Sequence, residues 1–245
     1  MVNQRATQQF VAGEPRLRVL HQGFLLSGCR DSRGHLNSTV GQHGRQTRLE
    51  SSEKQLEIVA YNPDWPTAFD AEANRLCTSL GPLALRIDHN GSTAIPGLSA
   101  KPIIDIQVSV ASLQPMVAYD KRLGALGYVH VPHPDDSFCP FFHRPRQWPH
   151  SHHVHLVEAG GAEERRTLAF RDYLRDHPAA AREYEDLKRD LAGKLAATSH
   201  ECREAYARAK TDFIERVVAV SLSSGYPREL LQNNVAQQVV RPERG

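Results

Sequence analysis

A carboxylate inside an apolar run, a small-residue turn ahead of it and a lysine between them form the stretch whose residue types and spacing could do chemistry. The carboxylate is Asp105, the turn begins at Gly91-Ser92-Thr93, and the lysine is Lys101. From Pro102 to Val110 the residues alternate as a strand does. Ile104, Ile106, Val108 and Val110 share one face, and Lys101, Ile103, Asp105, Gln107 and Ser109 share the other. An ionised group in such a run is expensive to bury without a partner, so Asp105 is either the ligand of a cation or the partner of a base. The turn offers backbone N–H groups, the Ser92 and Thr93 hydroxyls and the Lys101 ammonium, which are the parts of anion sites. The stretch therefore reads as a cation-binding carboxylate beside a phosphate-binding loop. A plainer account uses the same residues: Gly91 and Pro96-Gly97 serve turns, and Asp105 pairs with Lys101 at a sheet edge.

Histidine is the other concentration of chemistry, with seven of the 13 histidines between residues 130 and 155. On a strand His153 and His155 point to one side and His152 to the other, so at most two of them share a metal, and no cysteine nearby completes a zinc set. Arg144 and Arg146 follow Phe141-Phe142 and could clamp a phosphate, although a solvated loop explains them as well. Tyr206 and Lys210 lie four apart on a helix and share a face; Lys210 either snorkels past the apolar stripe or is aimed at a phosphate. Glu158 has the opposite strand parity to His155, and Asp88 reads as a turn residue, so neither is a convincing third metal ligand.

These groups need a scaffold, and the periodicities supply one. Trp65, Phe69, Ala73, Leu76 and Leu80 mark an amphipathic helix ending at Gly81-Pro82, followed by a short strand through Leu85 and Ile87. After the strand that carries Asp105, residues 112–126 read as a helix with Pro115 in its first turn. Strand-like pieces follow at 128–131, 140–143 and 152–158, with a proline- and histidine-rich loop over 132–151. Helices are expected at 162–176, 179–196 and 200–222. A strand–helix–strand start and a strand-dense middle predict a mixed sheet.

Hydrophobic residues make up 40% of the 245 positions and charged residues 24%, a soluble globular balance. No apolar run approaches the roughly 20 residues needed to span a bilayer, and the N-terminus does not read as a secretory signal. The formal net charge of +2 is too small to argue for a nucleic-acid partner. The widely separated Cys29, Cys77, Cys139 and Cys202 fit reduced thiols in the cytoplasm. Residues 1–55 are expected to be a disordered or loosely attached tail, with seven arginines against four acids in its first 53 positions. Residues 56–222 are expected to form the folded domain and 223–245 a C-terminal tail.

The string His-Asn-Gly-Ser-Thr-Ala-Ile-Pro-Gly-Leu-Ser-Ala-Lys-Pro-Ile-Ile-Asp-Ile, residues 89–106, resembles the signature of the GrpB family. The resemblance runs from about Ile58 to Leu222, through Tyr61-Asn62-Pro63-Asp64-Trp65, His153-Val154-His155-Leu156 and Phe170-Arg171-Asp172-Tyr173-Leu174-Arg175. It implies an α+β fold, a nucleotidyltransferase-like mixed sheet with a C-terminal helical bundle. It implies further that Gly91, Ser92, Thr93 and Lys101 hold phosphates, that Asp105 holds Mg²⁺, and that His153 and His155 line the same pocket. A neutral imidazole there, with His155 the catalytic candidate, would contact a phosphate or a base edge or hold a water for proton transfer. Gln107, Arg144, Tyr206 and Lys210 complete the expected site. In the wider superfamily a second acid follows the first after one residue, and here that position is Gln107. GrpB-like domains also occur fused to dephospho-CoA kinase, but this sequence has no Gly-x4-Gly-Lys-Ser/Thr loop. The expected function is binding of a nucleoside triphosphate or other phosphate-bearing small molecule, with possible nucleotidyl transfer. The alternatives are a non-catalytic nucleotide-binding or folding-accessory module and a histidine-based metal hydrolase.

Overall fold

The strand that carries Asp105 lies within a five-stranded sheet in the computed structural model, which describes residues 57–195 and 200–228. The strands are β1 (Arg86–Asn90), β2 (Ile104–Val110), β3 (Val129–His130), β4 (Phe141–Arg144) and β5 (His152–Glu158), in the order β1-β2-β5-β4-β3. β2 and β5 run parallel, and the other neighbours are antiparallel, so the sheet is mixed. The register sets Asp105 opposite His153 and Gln107 opposite His155. The tail expected over 1–55 and most of the one over 223–245 lie outside the described residues.

One face of the sheet is sealed by α1 (Trp65–Leu80) and α2 (Met116–Gly124). Ile104, Ile106, Val108, Val110, Phe142, Val154 and Leu156 pack there against Leu76, Leu80 and Leu123. Phe142 apart, which comes from β4, these strand residues are the alternate positions of β2 and β5, so period-2 patterning builds this layer directly. α1 begins where the Asn62 side chain accepts the Asp64 N–H at 2.8 Å, and it stops at Gly81, whose φ is +56°. α2 is shorter than expected. Pro115 is its N-cap rather than part of its first turn, in an extended conformation (ψ 134°). Proline disfavours helical geometry in the residue before it, which keeps residues 112–114 out of the helix.

The other face carries α3 (Ala162–Asp176), α4 (Pro178–Leu195), α5 (His200–Arg208) and α6 (Thr211–Ser223). α3 is held to the sheet by polar contacts: Arg171 donates to Asp88 and to the His89 carbonyl, and Ser109 donates to Glu164. Asp88 is thus an anchor, paired also with Arg86 at 2.7 Å. A second apolar cluster joins the helices to the loop after β1, through Ile95, Leu98, Leu174, Tyr184, Phe213, Ile214, Val217 and Val218. The single helix expected over 200–222 is two helices, broken at Ala209-Lys210. The apolar stripe continues across the break, so periodicity alone did not mark it.

Candidate functional site

Between β2, the loop after β1 and the C-terminal helices lies a cavity of about 60 Å³. Ser92 and Thr93 enter it from the short 3-10 turn after β1, Lys101 from the approach to β2, Asp105 from β2 and His153 from β5. Tyr184 and Lys188 come from α4, Tyr206 from α5, and Lys210 from the junction of α5 and α6. The two tyrosine–lysine pairs have the same spacing, and each lysine lies over its own ring, 4.8 Å from the Tyr184 centroid for Lys188 and 4.5 Å from that of Tyr206 for Lys210. Lys101 approaches the Tyr206 ring as well, at 4.4 Å.

Three ammonium groups thus converge where Asp105 is the only carboxylate among the lining residues. Burial opposes their charge, and they repel one another. Burial, with the Lys210 charge next, drives the Lys101 pKa well below its ordinary range. The same two causes bring Lys188 down to about 7. Lys210 is lowered to about 8 by burial, which the attraction of Asp105 only partly offsets. Lys188 and Lys210 are 3% and 6% exposed, so neither head can swing into solvent as a surface lysine does.

Asp105 is held from two sides. Burial would raise its pKa, but the hydrogen bond from His153 and the nearby Lys101 hold it below the usual carboxylate value. His153 donates from Nδ1 to Oδ1 at 3.1 Å. Its Nε2 then accepts from Nδ1 of His150, also at 3.1 Å, and the His150 ring stacks on His143. On the other side Gly91, with φ +64°, brings backbone against the carboxylate: a Cβ there would lie 2.3 Å from Oδ2. Thr93 lines the cavity but turns its hydroxyl away, donating to the Ile103 carbonyl and accepting from Nε2 of His89 at 3.0 Å. The Ser92 side chain is hydrogen-bonded to the Tyr184 hydroxyl.

Of the residues expected at the site, Ser92, Thr93, Lys101, Asp105, His153, Tyr206 and Lys210 come together, with Gly91 directly behind. Three do not. Gln107 is fully buried beneath α3, its Oε1 accepting from Thr167 and Asn90. Arg144 lies on the opposite side of the sheet, because it shares strand parity with Phe142. There it pairs with Glu72 at 2.9 Å and covers the Tyr128 ring. His155 shares the sheet face of His153 but packs one step deeper, against Cys139 and Phe141, where burial lowers its pKa to about 4. Lys188, Tyr184 and His150 were not foreseen. The Tyr-x3-Lys spacing of Tyr206 and Lys210 recurs at Tyr184 and Lys188 and could have revealed that pair.

The donor set does not fit a resident Mg²⁺. That ion takes several oxygen ligands in a near-octahedral shell. Here one carboxylate already accepts from His153, its second oxygen is crowded by Gly91, and three lysines share the cavity. Nor, among the described residues, are three of His, Cys, Asp and Glu grouped to hold a metal ion.

A five-stranded mixed sheet with helices on both faces and a lysine-lined cavity at β2 define an α+β protein. A family model described as GrpB protein matches residues 55–219, and the chain belongs to the GrpB family. The UPF0157 protein YqkA of Bacillus subtilis is 39% identical over 58% of this chain. A dephospho-CoA kinase of Mycolicibacterium paratuberculosis is 31% identical over 68% of it. The chain spans 41% of the length of the first and 49% of the second, so less than half of each. The crystal structure of the conserved protein GrpB from Enterococcus faecalis superposes with a TM-score of 0.61 at 31% identity, covering 69% of this chain and 98% of that one. No helix among the described residues is long and apolar enough to cross a membrane.

Proposed function

We propose that this protein binds the phosphate group of a small phosphorylated molecule, with nucleotides the first class to test. The observation that carries the reading is the convergence of Lys101, Lys188 and Lys210 from three separate elements on one buried cavity. Burying three like charges is costly unless an anion compensates them, so the arrangement is paid for by what it binds. The Ser92 hydroxyl, beside Tyr184 of α4, adds a neutral group from the turn after β1. The turn at Gly91-Ser92 leading to Asp105 also supports placing the domain in the nucleotidyltransferase-like superfamily. The single carboxylate favours a binding module over a metal-dependent transferase. Its place of work is the cytoplasm, where phosphorylated metabolites are abundant, and Cys77 and Cys139 form no disulfide.

The test is thermal stabilisation by nucleoside mono-, di- and triphosphates, for the native chain and for Lys101→Ala. The native chain should be stabilised, and the variant should lose most of that response. A native protein indifferent to all three ligands, or a variant that keeps the full response, would refute the reading.

A second reading, in which the site turns its ligand over, rests on the Asp105–His153 hydrogen bond. A carboxylate that fixes the Nδ1 proton makes Nε2 the basic atom, and the proton would pass there by way of its hydrogen bond to His150. His153→Gln should then abolish phosphate release while leaving ligand stabilisation largely intact.

A further inference from the structure

Building on the phosphate-group reading, we infer that the cavity selects a terminal phosphate monoester as its dianion and holds it without a divalent cation, the three ammonium groups supplying the positive charge. The first argument is charge. Three ammoniums against the Asp105 carboxylate leave a surplus of two positive charges, which a monoester dianion cancels and a diester monoanion does not.

The second argument is direction. Lys101 approaches from the loop before β2, Lys188 from α4, Lys210 from the α5–α6 junction, and the Ser92 hydroxyl from the turn after β1. Donors drawn from four separate elements suit the three terminal oxygens of a group that has a single ester bond to place outside them. A cavity of about 60 Å³ has room for several water-sized groups, which suits one tetrahedral oxyanion and not its organic remainder. A diester has only two such oxygens and a second organic arm to place outside a cavity of that size.

The third argument is the surroundings of each amine. Lys101 faces Lys210, Asp105, Arg203 and Lys188; Lys188 faces Lys210, Glu185, Arg189, Asp105 and Lys101; Lys210 faces Asp105, Lys101 and Lys188. Without a ligand, burial and mutual repulsion favour loss of protons from this cluster. An incoming dianion reverses that balance, so binding should draw protons from solution.

Calorimetric titration of the full chain in mildly alkaline buffer, with chelator present, tests this using methyl phosphate and dimethyl phosphate as probes. Methyl phosphate should bind at least about tenfold more tightly than dimethyl phosphate, a gap of at least ~1.4 kcal/mol. Its heat should change between buffers of different ionisation enthalpy in the sense of proton uptake. Lys188→Met should weaken methyl phosphate by about tenfold or more. Lys188→Arg, which keeps the charge but cannot titrate, should retain binding and lose part of the proton uptake. Equal affinity for the two probes, binding only when Mg²⁺ replaces chelator, or no proton uptake would overturn the inference and leave the phosphate-group reading standing. If neither probe and no nucleotide bound, both would fall together.

Discussion

Asp105 shows how one side chain can be over-determined. His153 fixes one carboxylate oxygen, Gly91 crowds the other, and the lysines set the surrounding potential. Gln107, two residues on, is the instructive contrast. It stands where the resemblance led us to look for a second acid, yet it is fully buried, and its Nε2 has no hydrogen-bond partner. Gln107→Asp would place a charge where Asn90 and Thr167 now donate to an amide oxygen. Two neutral donors do not replace water around a carboxylate, so the substitution should cost about 3–5 kcal/mol of stability. It should create no Mg²⁺ site. Chemical denaturation with and without Mg²⁺ measures both effects. Stabilisation of the variant by Mg²⁺ would show that this strand can assemble a metal centre after all.

At the scale of elements, the β1–β2 connection and α4 act together on the cavity. Ser99, near the end of that connection, donates its hydroxyl to Glu185 of α4 at 2.7 Å, and Lys188 donates to the Ser99 carbonyl. The start of the connection depends on Gly91, because only glycine tolerates both its positive φ and the contact with Asp105. Gly91→Ala should therefore cost about 2–4 kcal/mol, from left-handed backbone plus overpacking. Gly91→Ala combined with Asp105→Ala should cost less than the sum of the two single changes, since the clash disappears. Strict additivity in that cycle would mean that the glycine is needed for its backbone alone. Much of this layer was legible in the sequence. Alternation along Ile104–Val110 gave the buried face of β2; parity put His153 and His155 on one side of their strand, and the resemblance joined that side to Asp105. Arg144 was misplaced because strand parity says which residues share a side, not which side faces the site; Phe142, buried against α1 and α2, decides that. Lys188 escaped notice because it flanks the apolar stripe of Tyr184, Leu187 and Leu191 and looks like an ordinary solvated charge. The break at Ala209-Lys210 was hidden because Tyr206, Phe213 and Val217 keep a helical spacing across it.

For the molecule as a whole, the cavity and the histidines give stability a marked pH dependence. Burial lowers His89, His152 and His155 to about 4 and His150 to about 3, against an ordinary 6.5. Between those values the unfolded chain binds more protons than the folded one, so stability is lost as pH falls from about 6.5 towards 4. Lys188 and Lys210, at about 7 and 8 against an ordinary 10.5, act in the same sense at higher pH: the unfolded chain again holds more protons. Ligand-free protein should thus gain stability from mildly acidic solution through neutrality and into the alkaline range. Denaturation midpoints measured across that range check this, and a maximum at or below neutrality would contradict it. A saturating phosphate ligand should flatten the alkaline part of the rise by keeping the lysines charged. The central claim, that three lysines form a phosphate site, is tested most directly by a crystal structure of the full chain grown with methyl phosphate. The phosphate should sit beside Asp105 and Tyr206, with its oxygens about 3 Å from Nζ of Lys101, Lys188 and Lys210. A phosphate bound elsewhere, with only water between the three lysines, would contradict the claim.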